Sequence, residues 1–346
     1  MARIAINGFG RIGRLFFRQA FAMPEFEIVA INDLGDLENL AYLLKYDTVY
    51  GCYKEDIKAD TAKSELVVKG KAVKVLQVKD PAQLPWKDLA IDIAIEATGL
   101  FESFEKAKAH LTAGAKRVVI SAPSKDGSTN SPQGGSEGKT VLMGVNEGEF
   151  KTTVLTSNGS CTTNAASPVI QVMFENPGIL KAVLNTVHGY TATQNLVDGP
   201  TRGKDFRRGR AAAANITPST TGAAIAVTQA IPDLMGLFDG IALRVPVATG
   251  SIADVTFLAK RKTSVEEINQ ILSDAADTER WQGILRVTTD QLVSSDIIGM
   301  PFGAIVDLDF TKVIDGDLVK VLSWYDNEAG YVSTLIKHVQ KIAELL

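Results

Sequence analysis

The sequence predicts an α/β protein in two parts. Residues 1–160 read as a doubly wound parallel sheet, and residues 161–328 as an α+β part with a mostly antiparallel, mixed sheet. Three observations carry this. The 346 residues exceed what one ordinary hydrophobic core holds. The first half alternates short apolar runs with helix-patterned segments, as strands of one parallel sheet do. The second half joins two β-branched runs, Ala304–Val313 and Leu318–Trp324, through the tight turn Ile314-Asp315-Gly316-Asp317-Leu318, which is a hairpin signal.

Bulk properties exclude several classes. Hydrophobic content of 45% with 22% charged residues is that of a soluble globular chain. A net charge of -4 argues against a dedicated nucleic-acid binder. No run is long and apolar enough to span a bilayer, and the start, Ala2 to Ile6, reads as a strand and not as a signal peptide. The two cysteines, Cys52 and Cys161, fit neither a zinc motif nor a disulfide framework, so no metal is predicted and the expected compartment is cytoplasmic.

Taken in order, the first strand runs into Asn7-Gly8-Phe9-Gly10-Arg11-Ile12-Gly13-Arg14. Gly8, Gly10 and Gly13 form G-x-G-x-x-G between that strand and a helix over Arg11–Ala22. The first glycine permits a tight turn, the second lets backbone approach a pyrophosphate, and the third lets helix and strand pack closely. A second strand, Glu27 to Asn32, ends at Asp33, 20 residues after Gly13. A carboxylate there binds the 2′-OH of an adenosine ribose and repels a 2′-phosphate, so the pattern predicts NAD in a Rossmann arrangement. Leu37–Tyr46 is helical. Leu66–Val68 and Ala72–Leu76 flank Lys69-Gly70-Lys71 as a hairpin. Ile91–Glu96 is a buried strand ending near Thr98, Phe104–Ala113 a helix, and Arg117–Ser121 another strand. Ligands of such sheets sit beyond the C-terminal strand ends, where Gly8–Gly13, Asp33, Thr98 and Ser121 fall. Lys125 to Thr140, with its Gly127–Gly138 core, reads as a flexible surface loop, and Val141–Val145 as a strand.

The stretch Ser157-Asn158-Gly159-Ser160-Cys161-Thr162-Thr163-Asn164 follows a β-like run and precedes a helical one. Its Ser, Thr and Asn residues are good N-caps, which places Cys161 at or just before a helix N-terminus. Unpaired amides there favour a thiolate, and a reachable low-pKa thiolate is a nucleophile. From these residues alone, a small polar turn holding a buried cysteine fits equally well. Of three histidines, His110 and His338 lie in helices among lysines and read as surface groups. His188, at the end of the strand Leu184–Thr191, is the best base for Cys161. Arg202, Lys204, Arg207, Arg208 and Arg210 form a basic cluster. Downstream, the hydroxyls of Thr217-Pro218-Ser219-Thr220-Thr221-Gly222 can help cradle a phosphate. Ile241–Arg244 and Ala253–Ala259 are strands, Val265–Ala276 is an amphipathic helix, and Ala329–Leu346 is a helix with one apolar stripe.

These blocks, together with Asn32-Asp33-Leu34, Arg244-Val245-Pro246 and Ser323-Trp324-Tyr325-Asp326-Asn327-Glu328, resemble the phosphorylating glyceraldehyde-3-phosphate dehydrogenases along the whole length. The resemblance implies a Rossmann domain, completed by the last helix 329–346, plus a catalytic domain. It implies a cytoplasmic homotetramer that oxidises glyceraldehyde 3-phosphate with NAD and inorganic phosphate. It makes Cys161 the nucleophile and His188 its base. Thr191 and Arg244 would hold the substrate phosphate. Ser160, Thr162, Thr221 and Gly222 would surround the attacking phosphate, with Arg208 assisting. Phe9, Gly10, Arg11, Ile12, Asp33, Thr98 and Ser121 would line the dinucleotide, with Asn327 on the nicotinamide carboxamide and Tyr331 beside the ring. Pro200 agrees with Asp33 on NAD. Four features depart from the family pattern: Gly159 for the usual Ala, Ala165 for a common second cysteine, Gly189 for Ser or Ala, and a longer Gly127–Gly138 loop. Erythrose-4-phosphate dehydrogenases share most of these blocks.

Overall fold

The computed structural model describes residues 1–126, 138–201 and 203–346. Of the expected surface loop Gly127–Gly138, all but Gly138 lies outside the described residues, as does Arg202 of the basic cluster. Two compact units result. One comprises residues 1–141, 147–159 and 335–346, the other residues 142–146 and 160–334.

The first unit contains β1 (Ala2–Asn7), α1 (Arg11–Ala20), β2 (Phe26–Asn32), α2 (Leu37–Lys45), β3 (Ile57–Asp60), β4 (Glu65–Val68), β5 (Lys71–Leu76), β6 (Ile93–Glu96), α3 (Phe104–Thr112), β7 (Arg117–Ile120), β8 (Gly138–Thr140) and β9 (Leu155–Ser157). Among the described residues these strands form one sheet in the order β3-β4-β5-β2-β1-β6-β7-β9-β8. It is parallel from β5 to β8, and only the β3–β4–β5 end is antiparallel. Lys69 and Gly70, both at positive φ, make the two-residue β4–β5 turn. β1 is central and almost wholly buried, as a strand covered on both faces must be. Its register sets Asn7 level with Asn32 on one side and Glu96 on the other. The chain therefore leaves β1, β2 and β6 at one sheet edge, which brings the Gly8 turn, Asp33 and Thr98 to that edge.

The expected strand Val141–Val145 is not formed. The strand lies just before it, in Gly138–Thr140, which pairs with Leu155–Ser157. Residues 143–145 instead form a turn in which Gly144 has φ 76° and packs its Cα against Trp281, leaving no room for a Cβ. That apolar run is buried against side chains, so its hydrophobicity carries no strand signal.

Two histidines also differ from expectation. His110 and His338 are completely buried. His110 lies on the α3 face formed by Phe104 and Ala107, three residues apart, while the neighbouring lysines project elsewhere. Its Nε2 is 3.0 Å from Glu96 Oε2, and its Nδ1 accepts from Trp86 Nε1 at 3.0 Å. His338 Nε2 is 2.8 Å from Thr156 Oγ1, and Phe150 packs edge-on against the ring.

The second unit contains α4 (Cys161–Glu175), β10 (Ile179–Gly189), β11 (Thr217–Thr220), α5 (Ala223–Ala230), β12 (Phe238–Val245), β13 (Ser251–Ala259), α6 (Val265–Ala276), β14 (Leu285–Thr288), β15 (Ala304–Ile314) and β16 (Leu318–Tyr325). A last helix, α7 (Ala329–Ala343), starts here, and from Leu335 onward it groups with the first unit. The sheet order is β11-β12-β10-β13-β16-β15-β14. β10–β12 and β14–β15 are parallel and the other pairs antiparallel, so the sheet is mixed. β13 and β16 alternate strictly between buried and half-buried residues, as strands with one covered face do.

Candidate active site

In the first unit the glycine turn is built for close approach. Gly8 has φ 95°, and a Cβ there would lie 2.6 Å from the Thr98 backbone N. A Cβ on Gly13 would lie 2.1 Å from the Gly8 carbonyl oxygen, so helix and turn pack only with glycine. Gly10 is the N-cap of α1 and supplies no side-chain cap. A Cβ at Gly10 would meet open space, so there is room for an anion at the N-terminus of α1. Asp33 accepts from Phe9 N at 2.7 Å and Gly35 N at 2.8 Å. The carboxylate is thereby held in place with lone pairs left for a diol. An open amide cluster beside a fixed carboxylate fits the pyrophosphate and ribose of NAD. Arg11 directs its guanidinium to Asp47, 2.5 Å away. Thr98 donates its hydroxyl to Glu96, and Ser121 donates its own to the Glu96 carbonyl at 3.0 Å.

The second unit holds the cysteine. Ser160 is the N-cap of α4 in a reciprocal capping box. Its Oγ accepts from Thr163 N at 3.1 Å, and Thr163 Oγ1 accepts from Ser160 N at 3.0 Å. Cys161 is thus the first helical residue. His188 comes from the end of β10 and sets Nε2 3.3 Å from the Cys161 sulfur. On its other side, Nδ1 is 2.6 Å from the Gly189 carbonyl oxygen. A carbonyl only accepts, so Nδ1 carries the proton and Nε2 turns its lone pair to the sulfur.

Burial works against the expected thiolate. Burial pushes the Cys161 thiol up, while Arg244 and hydrogen bonds from Thr162 pull it down without cancelling the rise. The residue keeps partial solvent access, which moderates that penalty and leaves the sulfur reachable. Burial, and then the Arg244 charge, lower His188 to about 3. Both shifts run toward the uncharged forms, thiol and neutral imidazole. The helix N-terminus is present as expected, but desolvation outweighs it.

Arg244 on β12 is level with His188 on β10, and Thr217 on β11 is level with Arg244. Its Nε and Nη1 are buried without a hydrogen-bond partner among the described residues. A structural salt bridge would have taken those atoms. Arg208 Nη1 donates to Thr193 Oγ1 at 2.8 Å, and Thr193 Oγ1 is 2.9 Å from Thr191 Oγ1. Thr221 Oγ1 accepts from Ala223 N at 3.2 Å just before α5, with Gly222 exposed at the N-cap. Thr162 is buried, and its hydroxyl lies 2.8 Å from Tyr325 Oη, so the side chain faces inward. Asn327 Oδ1 accepts from Ser251 Oγ at 2.8 Å and Gly250 N at 3.2 Å. Tyr331, in the first turn of α7, is buried.

A family model described as the NAD binding domain of glyceraldehyde 3-phosphate dehydrogenase matches residues 2–104, and its C-terminal-domain counterpart matches residues 160–327. The chain belongs to the glyceraldehyde-3-phosphate dehydrogenase family. It is 45% identical over 349 residues to a glyceraldehyde-3-phosphate dehydrogenase of Clostridium acetobutylicum, covering 100% of this chain and 99% of that protein. It is 46% identical over 348 residues to one of Thermotoga maritima, covering 100% of both. A Streptomyces coelicolor enzyme of the same name is 45% identical over 337 residues, covering 96% of each.

Gly159 is one of the expected departures from the family pattern. Here Gly159 has φ 65°, a left-handed conformation that glycine adopts without Cβ strain, and its N–H donates to Ser157 Oγ at 3.0 Å. Ala165, one turn after Cys161, is fully buried. Sequence reasoning missed Tyr325 and Thr186. The Tyr325 phenol lies 2.8 Å from both the Thr162 and Thr186 hydroxyls, and its ring stands edge-on to His188. Burial raises its pKa far above the ordinary phenol value, so it stays protonated. Nothing in the local sequence around Tyr325 separates it from a core aromatic, because its partners lie on α4 and β10.

Proposed function

We propose that this protein is an NAD-dependent, phosphorylating glyceraldehyde-3-phosphate dehydrogenase. The reading rests on one juxtaposition: a cysteine thiol 3.3 Å from a neutral imidazole, beside a buried guanidinium with free donors. His188 Nε2 takes the thiol proton as sulfur bonds to the aldehyde carbon, and returns it to the new oxyanion. The product is a hemithioacetal on Cys161. His188 then takes the hydroxyl proton as hydride leaves carbon, giving a thioester. NAD, when bound, supplies the hydride acceptor. Inorganic phosphate attacks the thioester carbon, the sulfur leaves, and an acyl phosphate forms. Arg244, with Thr191, grips the substrate phosphate. Arg208, Ser160, Thr162, Thr221 and Gly222 serve the phosphate sites, Thr162 through its backbone because its hydroxyl is engaged with Tyr325.

In this reading residues 1–160 with helix 329–346 form the NAD-binding domain, and residues 161–328 the catalytic domain. Phe9, Gly10, Arg11, Ile12, Asp33, Thr98 and Ser121 face the dinucleotide, and Asn327 with Tyr331 its nicotinamide end. We also read the assembly as a homotetramer in the cytoplasm. The half-exposed apolar residues Leu180, Val183 and Ile241 on β10 and β12 support self-association, because a monomer gains nothing by leaving them in water. Among the described residues no helix is long and apolar enough to cross a membrane.

The deciding experiment follows NADH formation from glyceraldehyde 3-phosphate with and without phosphate or arsenate. Turnover that requires one of these anions is expected. Turnover independent of both would mean that water resolves the thioester, and absence of turnover would reject the reading. Light scattering on the eluting protein tests the tetramer.

A further inference from the structure

Asn327 does not present an arbitrary amide. Its Oδ1 receives Gly250 N–H at 3.2 Å, and a backbone amide can only donate. The same oxygen lies 2.8 Å from Ser251 Oγ. Ser251 in turn receives Gly189 N–H at 3.1 Å, another obligate donor. With that N–H seated on one oxygen lone pair, the hydroxyl proton of Ser251 points to Asn327. Two independent donors therefore fix which end of the Asn327 amide is oxygen, and the NH2 end faces away from them. Ser251 is 1% exposed, so water cannot substitute for its hydroxyl. Gly189 also provides the carbonyl that holds His188 Nδ1 at 2.6 Å, so one residue of β10 anchors both the base and this serine.

We infer that Ser251 is a positioning residue that locks the Asn327 amide with its N–H donors outward, so that Asn327 reads the carbonyl oxygen of the nicotinamide carboxamide and not its NH2. This rests on the proposed placement of Asn327 at the nicotinamide end. An unlocked amide would spend part of its time with oxygen outward, facing a carbonyl it repels. Ser251 touches no reacting atom, so its effect belongs to affinity for the nicotinamide part alone.

Calorimetric titration tests this with NAD+ and with ADP-ribose, which lacks the nicotinamide. Ser251→Ala should weaken NAD+ by about 3- to 10-fold, the worth of one or two orienting hydrogen bonds, and leave ADP-ribose unchanged. A purely structural serine would weaken both ligands together. In the unaltered protein, 3-acetylpyridine adenine dinucleotide keeps the carbonyl and replaces NH2 with an isosteric methyl, so it should bind within about threefold of NAD+, a change of less than one hydrogen bond. A loss of about tenfold or more for this analogue, worth a full hydrogen bond, would show that the NH2 is read and would overturn the orientation. Asn327→Ala separates the two levels of the claim. If Asn327→Ala alters the ratio of NAD+ to ADP-ribose affinity and Ser251→Ala does not, the locking role fails while the nicotinamide placement stands. If neither variant alters it, the placement itself fails.

Discussion

Two strand-to-helix junctions in this chain share their plan and differ in one residue. After β1 the cap of α1 is Gly10, which offers no side chain to the first amides. After β9 the cap of α4 is Ser160, whose hydroxyl closes a capping box with Thr163. The first junction makes no side-chain cap and has open space, which suits an external anion. The second ties up the Thr163 and Ser160 amides internally and uses the rigid first turn to hold Cys161 against His188. In the proposed reading the same helix-terminal physics supplies a ligand cradle or a nucleophile mount, depending on whether the cap has a side chain.

The comparison breaks first at Cys161. Cys161→Ser should lower turnover by on the order of 10⁴-fold or more, because a hydroxyl beside a weak base is a poor nucleophile. NAD binding, which belongs to the other junction, should survive. Calorimetry on the inactive variant checks this, and a joint loss of both properties would end the separation of roles. His188→Asn should cost roughly 10²–10⁴-fold in kcat/KM, the usual worth of a positioned acid–base group. A loss under tenfold would place the base elsewhere.

Arg244 sharpens the contrast between the two anion sites. Arg244→Leu should reduce kcat/KM on glyceraldehyde 3-phosphate by about 2–4 kcal/mol, since its unpartnered donors have no role without an anion. Unphosphorylated glyceraldehyde should suffer far less. Equal losses on both aldehydes would make Arg244 structural. The cap itself can be exchanged at the other junction. Gly10→Ser has open space for its side chain, so the fold should tolerate it. Its hydroxyl would compete for the amides that bind pyrophosphate and should weaken NAD by about tenfold, the worth of a charge-assisted hydrogen bond. Unaltered NAD affinity would mean those amides are not the cradle.

A further effect concerns acid stability. His188 and His338, one in each unit, are buried and titrate near 3 in the fold against 6.5 in an unfolded chain. Between those values the unfolded chain binds more protons, so stability is full above pH 6.5 and is lost as pH falls toward 3. Each histidine should cost about 2 kcal/mol between pH 7 and 5. His338→Asn should shrink the shift of the urea midpoint over that interval. An undiminished shift would show that His338 is not held neutral.

Much of the site was legible because its signals are local. G-x-G-x-x-G between a strand and a helix demands a turn that only glycine makes, and the contact of Gly13 with Gly8 lies within one strand–turn–helix unit, whereas the close approach of Gly8 to Thr98 comes from just beyond the neighbouring strand β6. Ser160 and Thr163 lie on one helical turn, so the cap of α4 and the place of Cys161 follow from residue type. His110 and His338 were misread as surface groups because lysines beside them in sequence lie on other helix faces. Their partners lie outside the helix: Glu96 is on another element and Thr156 is far away along the chain from His338. Val141–Val145 was misread because buried apolar residues look alike whether a strand or a side-chain cluster buries them.

By itself the amino-acid sequence determined the two sheets, the glycine turn with Asp33, and Cys161 at a helix start, since each depends on periodicity or on neighbours a few residues apart. Only the tertiary structure decided the protonation states and the free donors. Desolvation of Cys161 and His188, the unpartnered guanidinium of Arg244 and the fixed amide of Asn327 depend on what surrounds each group in space. Burial and hydrogen-bond completion are properties of the packed neighbourhood, and β10, β12, β13 and α4 supply that neighbourhood from separate stretches of the chain.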